Sequence, residues 1–214
     1  MTAQSHGVVP IGEEQRVAAA AVLARAFYDD PLFVQSFPDP AERALCLPAI
    51  FRWHLRYGVL FGVVIGLGDP LDGVAIALRP GEGDFAEERL VQSGVERLRE
   101  ELGAAATGQY RAALQRLFFP ADAALARAVP EPHWYLDVIG VEPSRQGRGI
   151  GGALLAAVNR RADRDGVCAA LLTFQGRNLP LYQRHGYSVV CDGGDDGGES
   201  SSGIGYWGCR RLGT

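Results

Sequence analysis

The strongest constraint in this sequence is a dense run of glycines between a strand-like and a helix-like segment. Residues 136–141 alternate and are rich in apolar side chains, residues 147–152 contain four glycines, and residues 153–165 carry apolar side chains at helical spacing. Glycine lets a backbone approach a ligand closely, and the first N–H groups of a helix have no partner inside it. This strand–turn–helix unit therefore favours the binding of a phosphate, to which Arg145 and Arg148 would add positive charge.

Two other interpretations of the glycine run stay open at this point. In the first, the glycines serve only the bend of a surface turn. In the second, Gly147, Gly149 and Gly152 form the dinucleotide pattern G-x-G-x-x-G of a nicotinamide oxidoreductase. The strand expected at Ala169–Phe174 is followed by Gln175, however, where that pattern places an Asp or Glu for the ribose. Only one further strand–helix unit follows, so the second interpretation is disfavoured.

The composition is that of an ordinary folded protein, and it excludes several kinds of chemistry. Of the 214 residues, 47% are hydrophobic and 21% are charged, and all 21 basic residues are arginine. The absence of lysine excludes a lysine Schiff base and a Walker-type phosphate loop. A net charge of −4 argues against a nucleic-acid partner. The cysteines and histidines lack the spacing of a zinc site, so no metal is expected.

The expected location is the cytoplasm, with reduced cysteines. Residues 1–16 do not resemble a signal peptide, and no apolar run is long enough to cross a bilayer, so no membrane partner is expected. No internal repeat or linker divides the chain. Residues 1–214 are therefore predicted to form a single domain, as a monomer or a homodimer.

Hydrophobic periodicity predicts mixed helices and strands. Strands are expected at 8–11, 59–65, 74–78, 134–141, 169–174, 187–191 and 204–211. Helices are expected at 13–28, at 40–57 with a break or kink near Pro48, at 84–102 and 109–129 with interruptions at Gly103 and Pro120, from the glycine run to Gly166, and in a short segment ending at His185. The Gly/Asp/Ser-rich tract 192–203 is predicted to be a flexible loop.

Two motifs establish a family resemblance. Residues 139–143 (IGVEP) precede Gln146–Gly151, which fits the pattern Q/R-x-x-G-x-G/A, and residues 177–187 (RNLPLYQRHGY) look like the pattern N-x-x-x-Y-x-x-x-G-F/Y. Both motifs, in this order, resemble the GCN5-related N-acetyltransferase (GNAT) superfamily over Trp134–Val190. More weakly, residues 26–31 and the layout of the chain resemble the branch that includes puromycin N-acetyltransferase.

The resemblance implies an α/β (α+β) fold, with a mixed central sheet of about six or seven strands flanked by helices. It also implies direct transfer of an acetyl group from acetyl-CoA to the amine of a small-molecule acceptor. The N-terminal half would form the acceptor side, and residues 134–191 the acetyl-CoA-binding core. In this core the strand at 134–141 would splay from the strand at 169–174. A protein N-terminal acetyltransferase and a non-catalytic CoA-binding module remain alternatives.

The resemblance also assigns roles to residues. Backbone groups at 139–141 would meet the pantetheine arm and stabilise an oxyanion, and N–H groups at 147–152 would hold the pyrophosphate. Tyr182 would be the phenol that protonates the departing thiolate. The complete set implied for acetyl-CoA is Ile139, Gly140, Val141, Gln146, Gly147, Arg148, Gly149, Ile150, Gly151, Gly152 and Asn178. Asn178 is also a natural helix N-cap.

One position departs from the family pattern. Many relatives carry a Glu on the fifth strand, which acts as base or binds the acceptor amine, where this chain has Leu172. Deprotonation would then fall to another group, a water chain or bulk solvent. Asp137 is the preferred substitute, because strict alternation along its strand would place it on the same face as Ile139 and Val141. An ordinary exposed or salt-bridged carboxylate is the alternative for Asp137.

The acceptor side offers weaker candidates. Asp29 and Asp30 are candidates for holding a cationic acceptor, with a helix-ending turn as their alternative role. Tyr135 either packs in the core or faces the acceptor pocket. His54 and His185 are expected to be surface or core residues rather than catalytic ones.

Overall fold

A mixed sheet of seven strands with helices on both faces organises the part of the chain that the computed structural model describes, residues 7–193 and 203–213. The strands are β1 (Val9–Pro10), β2 (Gly62–Leu67), β3 (Gly73–Leu78), β4 (His133–Val141), β5 (Cys168–Thr173), β6 (Ser188–Gly193) and β7 (Tyr206–Arg211). The helices are α1 (Arg16–Ala26), α2 (Pro31–Ser36), α3 (Pro40–Phe61), α4 (Glu87–Gln92), α5 (Val95–Ala113), α6 (Phe119–Ala128), α7 (Ile150–Asp165) and α8 (Leu179–Arg184). Most of the loop predicted at 192–203 lies outside the described residues.

The strand order is β1-β2-β3-β4-β5-β7-β6, and it creates one parallel contact among the described strands, between β4 and β5. Residues 133–136 of β4 pair with residues 168–171 of β5, and the pairing then stops. On the side facing β5, the second half of β4 is left without a partner strand. The splay implied by the resemblance is therefore present. The sheet is not the doubly wound parallel sheet of a nicotinamide enzyme.

Two hydrophobic cores cover the two faces of the sheet. On one face, residues of α1, α3, α5 and α6 pack on the strands, and Leu23 and Leu55 share this core with Val138. On the other face, α7 and α8 pack, and Leu154 shares a core with Leu136. Each fully buried large apolar side chain contributes about 1.5–3 kcal/mol. We refer to the first face, covered by α1, α3, α5 and α6, as the α3 face, and to the second, covered by α7 and α8, as the α7 face.

Three differences from the sequence expectations have local causes. Helix α3 continues through Pro48, although a proline removes one backbone hydrogen bond. Its missing N–H would have bonded the carbonyl of Ala44, which is exposed and can bond water instead. Helix α3 also extends to Phe61, so β2 begins at Gly62 rather than at residue 59. Helix α2 was not predicted; Asp30 caps it through its side chain.

The interruptions predicted at Gly103 and Pro120 are both present. Gly103 has a φ of 77° inside α5, which kinks that helix. A π-helical turn at Leu114–Phe118 separates α5 from α6, whose first turn contains Pro120. A proline can occupy a first turn because its missing N–H has no helical partner there.

Candidate active site

A cleft of about 1030 Å³ opens where β4 and β5 separate. The unpaired half of β4 and the end of β5 form its centre. The glycine run between β4 and α7 and the segment 173–182 form one end. At the other end lie side chains of α3, α5 and α6 and of the loop after β3. The two motifs of the sequence therefore meet at one opening with residues from the N-terminal half.

The glycine run has the backbone shape of an anion cradle. Gly147 and Gly149 have φ values of 76° and 80°, the left-handed region that favours glycine. A Cβ built on either residue would meet no protein atom within 4 Å, so the space beside them is open to a ligand. Helix α7 makes its first hydrogen bond from Ala153 to Gly149, at 3.0 Å. The N–H groups at 150–152 precede that bond and remain available for a pyrophosphate.

The side chains around this cradle differ in whether they line the cleft and can contact a ligand there. Gln146 donates a hydrogen bond to the carbonyl of Val141 at 3.3 Å, which ties the turn to the end of β4. Arg145 forms an ion pair with Asp72 at 3.1 Å. Both line the cleft, whereas Arg148 is exposed and is not among the lining residues. The structure therefore favours a direct role for Arg145 and Gln146 more than for Arg148.

The second motif places Tyr182 in the cleft. Its side chain is 5% exposed, and burial raises the pKa of its hydroxyl well above the ordinary value, partly offset by a hydrogen bond with Thr173. The phenol is therefore protonated at neutral pH and able to donate. Asn178 also lines the cleft, and it is the N-cap residue of α8 as predicted, although its side chain makes no capping hydrogen bond.

A β-bulge decides the direction of Asp137. Ile76 of β3 pairs with Val138, and Ala77 pairs with Leu136, so Asp137 is an extra residue on β4. A bulge breaks the alternation of faces. The expectation that Asp137 shares a face with Ile139 and Val141 is therefore wrong: those two side chains pack on the α7 face, whereas Asp137 turns to the α3 face.

There Asp137 contacts a histidine that the sequence interpretation had set aside. The Nδ1 of His54, on α3, lies 2.9 Å from Oδ2 of Asp137. The two side chains are 13% and 5% exposed, and both line the cleft. Since an ionised carboxylate only accepts, Nδ1 donates this bond and Nε2 is left to accept a proton. One signal pointed here: His54 follows Ile50 and Phe51 at helical spacing on the apolar face of α3.

Asp30 lines the cleft, and structural bonds occupy both of its oxygens. It accepts a hydrogen bond from the N–H of Leu32 at 3.0 Å and another from Nε2 of Gln175 at 2.8 Å. Burial raises the pKa of Asp30, partly offset by the bond from Gln175. Asp29 is exposed and is not among the lining residues. The helix-turn role is thus the one the contacts favour for this pair.

Tyr135 faces the cleft, and two further residues join it that the sequence interpretation missed. Tyr135 is 4% exposed and Tyr110 of α5 is 9% exposed. Asp122, in the first turn of α6, lines the same end of the cleft. Within residues 7–193 and 203–213 there is no group of His, Cys, Asp and Glu side chains suited to a metal ion. No helix in this part of the chain is long and apolar enough to span a membrane.

Comparisons with known proteins agree with this arrangement. Residues 112–189 match the family model described as Acetyltransferase (GNAT) domain. An uncharacterised N-acetyltransferase of Schizosaccharomyces pombe is 26% identical over 175 residues, which cover 79% of this chain and 69% of that protein.

Two solved structures are similar over nearly the whole chain. A histone acetyltransferase HPA2 and related acetyltransferase from Corynebacterium glutamicum has a TM-score of 0.68 and 24% identity, covering 99% of this chain and 98% of its own. Arylalkylamine N-acetyltransferase 2 from Aedes aegypti has a TM-score of 0.61 and 14% identity, covering 96% and 97%. At 24% and 14% identity, the similarity to these two structures shows the fold alone. Because the family match, the splayed strands and the anion cradle agree, we conclude that residues 112–189 of this chain belong to a GNAT domain and that the protein is an acetyltransferase.

Proposed function

We propose that this protein is an N-acetyltransferase that uses acetyl-CoA and acts on the amine of a small molecule. The observation that carries the proposal is the hydrogen-bonded pair of His54 and Asp137 on the wall of the cleft where β4 and β5 separate. This pair supplies a proton acceptor on the acceptor side. It compensates for Leu172, the residue at the position where many relatives carry a glutamate.

The residues present suit acetyl-CoA, which supplies the thioester for the transfer when bound. The free edge of β4 at 139–141 would bind the pantetheine amides as a further strand would. The N–H groups at 150–152 and the open space beside Gly147 and Gly149 would hold the pyrophosphate. Asn178, whose side chain is not used as a cap, would hydrogen-bond the same molecule.

His54 and Asp137 would prepare the acceptor. An alkylammonium cannot attack a carbonyl until it has lost a proton. Nε2 of His54 takes that proton directly or through a water molecule, while Asp137 fixes the tautomer and stabilises the imidazolium that results. Asp137 is therefore a positioning residue in this proposal, and His54 is the base.

Tyr182 would act from the other side of the opening. Its ring belongs to the core on the α7 face, whereas the ring of His54 contacts Phe51 on the α3 face, and both residues line the cleft. The protonated phenol would donate its proton to the sulfur as the C–S bond breaks. Acid and base thus approach the reacting atoms from opposite faces of the sheet.

The walls of the acceptor end favour a small molecule over an extended peptide. Side chains of α2, of the loop after β3 and of the α5–α6 segment line this end, among them Leu32, Phe85 and Phe118. The similar Aedes aegypti structure carries the name of an enzyme of arylalkylamines. An apolar wall with a base at its edge is suited to an amine with a hydrocarbon body.

The test is acetyl-CoA-dependent release of free thiol with a panel of alkylamines and arylalkylamines, with product masses measured in parallel. We expect acetylated amines, and we expect His54→Gln to lower kcat by about 10²–10⁴-fold. His133→Gln is the matched control, because His133 lies outside the cleft and bonds the carbonyl of Glu131 at 2.8 Å.

Two results would contradict the proposal. Acetylation of protein N-termini with no turnover of any small amine would assign the cleft to a peptide acceptor. Binding of acetyl-CoA without turnover of either acceptor class would indicate a binding module.

A further inference from the structure

The cleft continues beyond the reacting centre to a second group of polar side chains. Tyr135 precedes Asp137 on β4 and lies where β4 is still paired with β5, opposite Ala170. Asp122 lies on α6, which packs against β5, β6 and β7 on the α3 face. Both residues line the cleft. Tyr135 is therefore on the closed side of the splay, and Asp122 lies near it, since burial and then the charge of Asp122 raise the pKa of the Tyr135 hydroxyl.

Two tyrosine hydroxyls in this region have no hydrogen-bond partner among the described residues. The side chains of Tyr135 and Tyr110 are 4% and 9% exposed, and both line the cleft. Neither oxygen is among the buried polar atoms that lack a partner in residues 7–193 and 203–213, so both reach the open space of the cleft. These hydroxyls therefore indicate space for a polar group that the chain itself does not supply.

Asp122 is a carboxylate that no cation of the described chain neutralises. It makes no ion pair or hydrogen bond with residues 7–193 or 203–213. Burial, followed by the charges of Asp137 and Asp84, raises its pKa to about 6. Asp84 is itself paired with Arg89. Apolar side chains such as Phe85 and Phe118 line the same end of the cleft, which strengthens the attraction of a cation for an acidic group there.

We propose that Asp122, Tyr135 and Tyr110 form a second cation-binding subsite, so that the preferred acceptors are diamines. One amine would react at His54, and the distal ammonium would donate hydrogen bonds to the carboxylate of Asp122 and to the two phenol oxygens. This inference rests on the proposed function. Along a strand, two residues span roughly 6–7 Å, so Tyr135 and Asp137 suit amines separated by a short hydrocarbon chain.

The experiment compares pairs of probes that differ by one terminal amine: butylamine with putrescine, and pentylamine with cadaverine. For the wild-type enzyme we expect kcat/KM to be at least about tenfold higher for the diamine of each pair. Asp122→Asn should lower kcat/KM for the diamines by about 10–100-fold and change it for the monoamines less than about twofold. Tyr135→Phe should act in the same direction with a smaller effect.

Asp69→Asn is the matched control. It makes the same change of net charge at an exposed turn outside the cleft, so it should leave the diamine preference unchanged. Circular dichroism and melting temperatures confirm that each variant is folded. Calorimetric titration of cadaverine into wild type and Asp122→Asn gives a readout that does not require turnover.

The outcomes separate the two proposals. Equal kcat/KM for monoamines and diamines, or an equal loss for both in Asp122→Asn, would overturn the subsite while leaving the proposed function intact. Cadaverine that binds in an Asp122-dependent manner but is not acetylated would support the subsite and contradict the proposed function. Cadaverine that neither binds nor reacts would overturn the subsite.

Discussion

Asp137 is hydrogen-bonded to His54 because it is the extra residue in a β-bulge. At that point β4 has one residue more than β3, and the carboxylate turns to the α3 face, where Nδ1 of His54 lies 2.9 Å away. Bulges often re-aim a side chain next to an active site. This pairing joins a strand carboxylate and a helix histidine into one proton-accepting unit. Its role can be tested by measuring how the reaction rate depends on pH.

The first prediction concerns Asp137→Asn. An amide cannot stabilise the imidazolium, and it can favour the wrong tautomer of His54. We therefore expect kcat to fall by about a hundredfold or more at neutral pH. Part of the activity should return at high pH, where free amine is abundant. A pH–rate profile recorded beside the melting temperature checks this; a lower melting temperature with an unchanged profile would mean that Asp137 is only structural.

The second prediction concerns Gly149→Val and the anion cradle. In the wild type, acetyl-CoA and CoA should raise the stability by about 2.7 kcal/mol at a hundredfold excess over Kd, and NAD should not. Gly149→Val should abolish this shift, because its side chain would enter the open space beside the N–H groups at 150–152.

Gly166→Val is the control for Gly149→Val. Gly166 has a φ of 67° with open space beside it, at the far end of α7 and away from the cleft. A non-glycine residue in the left-handed region costs roughly 1–2 kcal/mol, so both variants should lose stability. Only Gly149→Val should lose affinity for CoA by calorimetry; equal affinity in both variants would remove Gly149 from the phosphate site.

The third prediction separates binding from chemistry at Tyr182. Tyr182→Phe should leave the Kd for acetyl-CoA nearly unchanged and lower kcat by about 10²–10⁴-fold where chemistry limits the rate. Tyr187→Phe is the matched control. Tyr187 packs in the same core, but its hydroxyl donates to Asn159 at 2.8 Å and it lies outside the cleft. The Tyr187→Phe variant should lose about 1 kcal/mol of stability and no activity. Full activity in Tyr182→Phe would limit Tyr182 to packing.

The fourth prediction follows from the pKa of Asp122. Burial and the neighbouring carboxylates raise this pKa to about 6 in the folded protein, against roughly 3.9 in the unfolded chain. The native state then binds more protons than the unfolded state, so the contribution of this residue to stability falls as pH rises from about 4 through 6.

Asp122→Asn removes this dependence. Allowing for partial solvent exposure of the carboxylate, we expect the variant to be more stable than the wild type by about 1–2 kcal/mol at pH near 8, and equal to it below pH of about 4. Urea unfolding at both pH values measures the difference. A variant that is less stable at high pH would show that Asp122 is ion-paired in solution. If Asp122→Asn is more stable than the wild type at high pH, as expected, then this carboxylate destabilises the folded protein and is not kept for stability.

The sequence by itself determined the elements whose signals are local. The glycine run between β4 and α7, the breaks at Gly103 and Pro120, and the two motifs were predictable because backbone freedom, missing N–H groups and short spacings act over a few residues. The two motifs also carried the resemblance to the GNAT superfamily, and that resemblance implied the splay of β4 from β5.

Only the tertiary structure decided which polar groups meet in the cleft. His54 and Asp137 are 83 residues apart, and their contact depends on a bulge set by the pairing of β4 with β3, which alternation along one strand cannot predict. Asp122 becomes an unpaired, partly buried carboxylate only because α6 packs over β5 and β7. Burial and charge neighbours are properties of packed elements, and neither has a signature in the sequence of a single helix or strand.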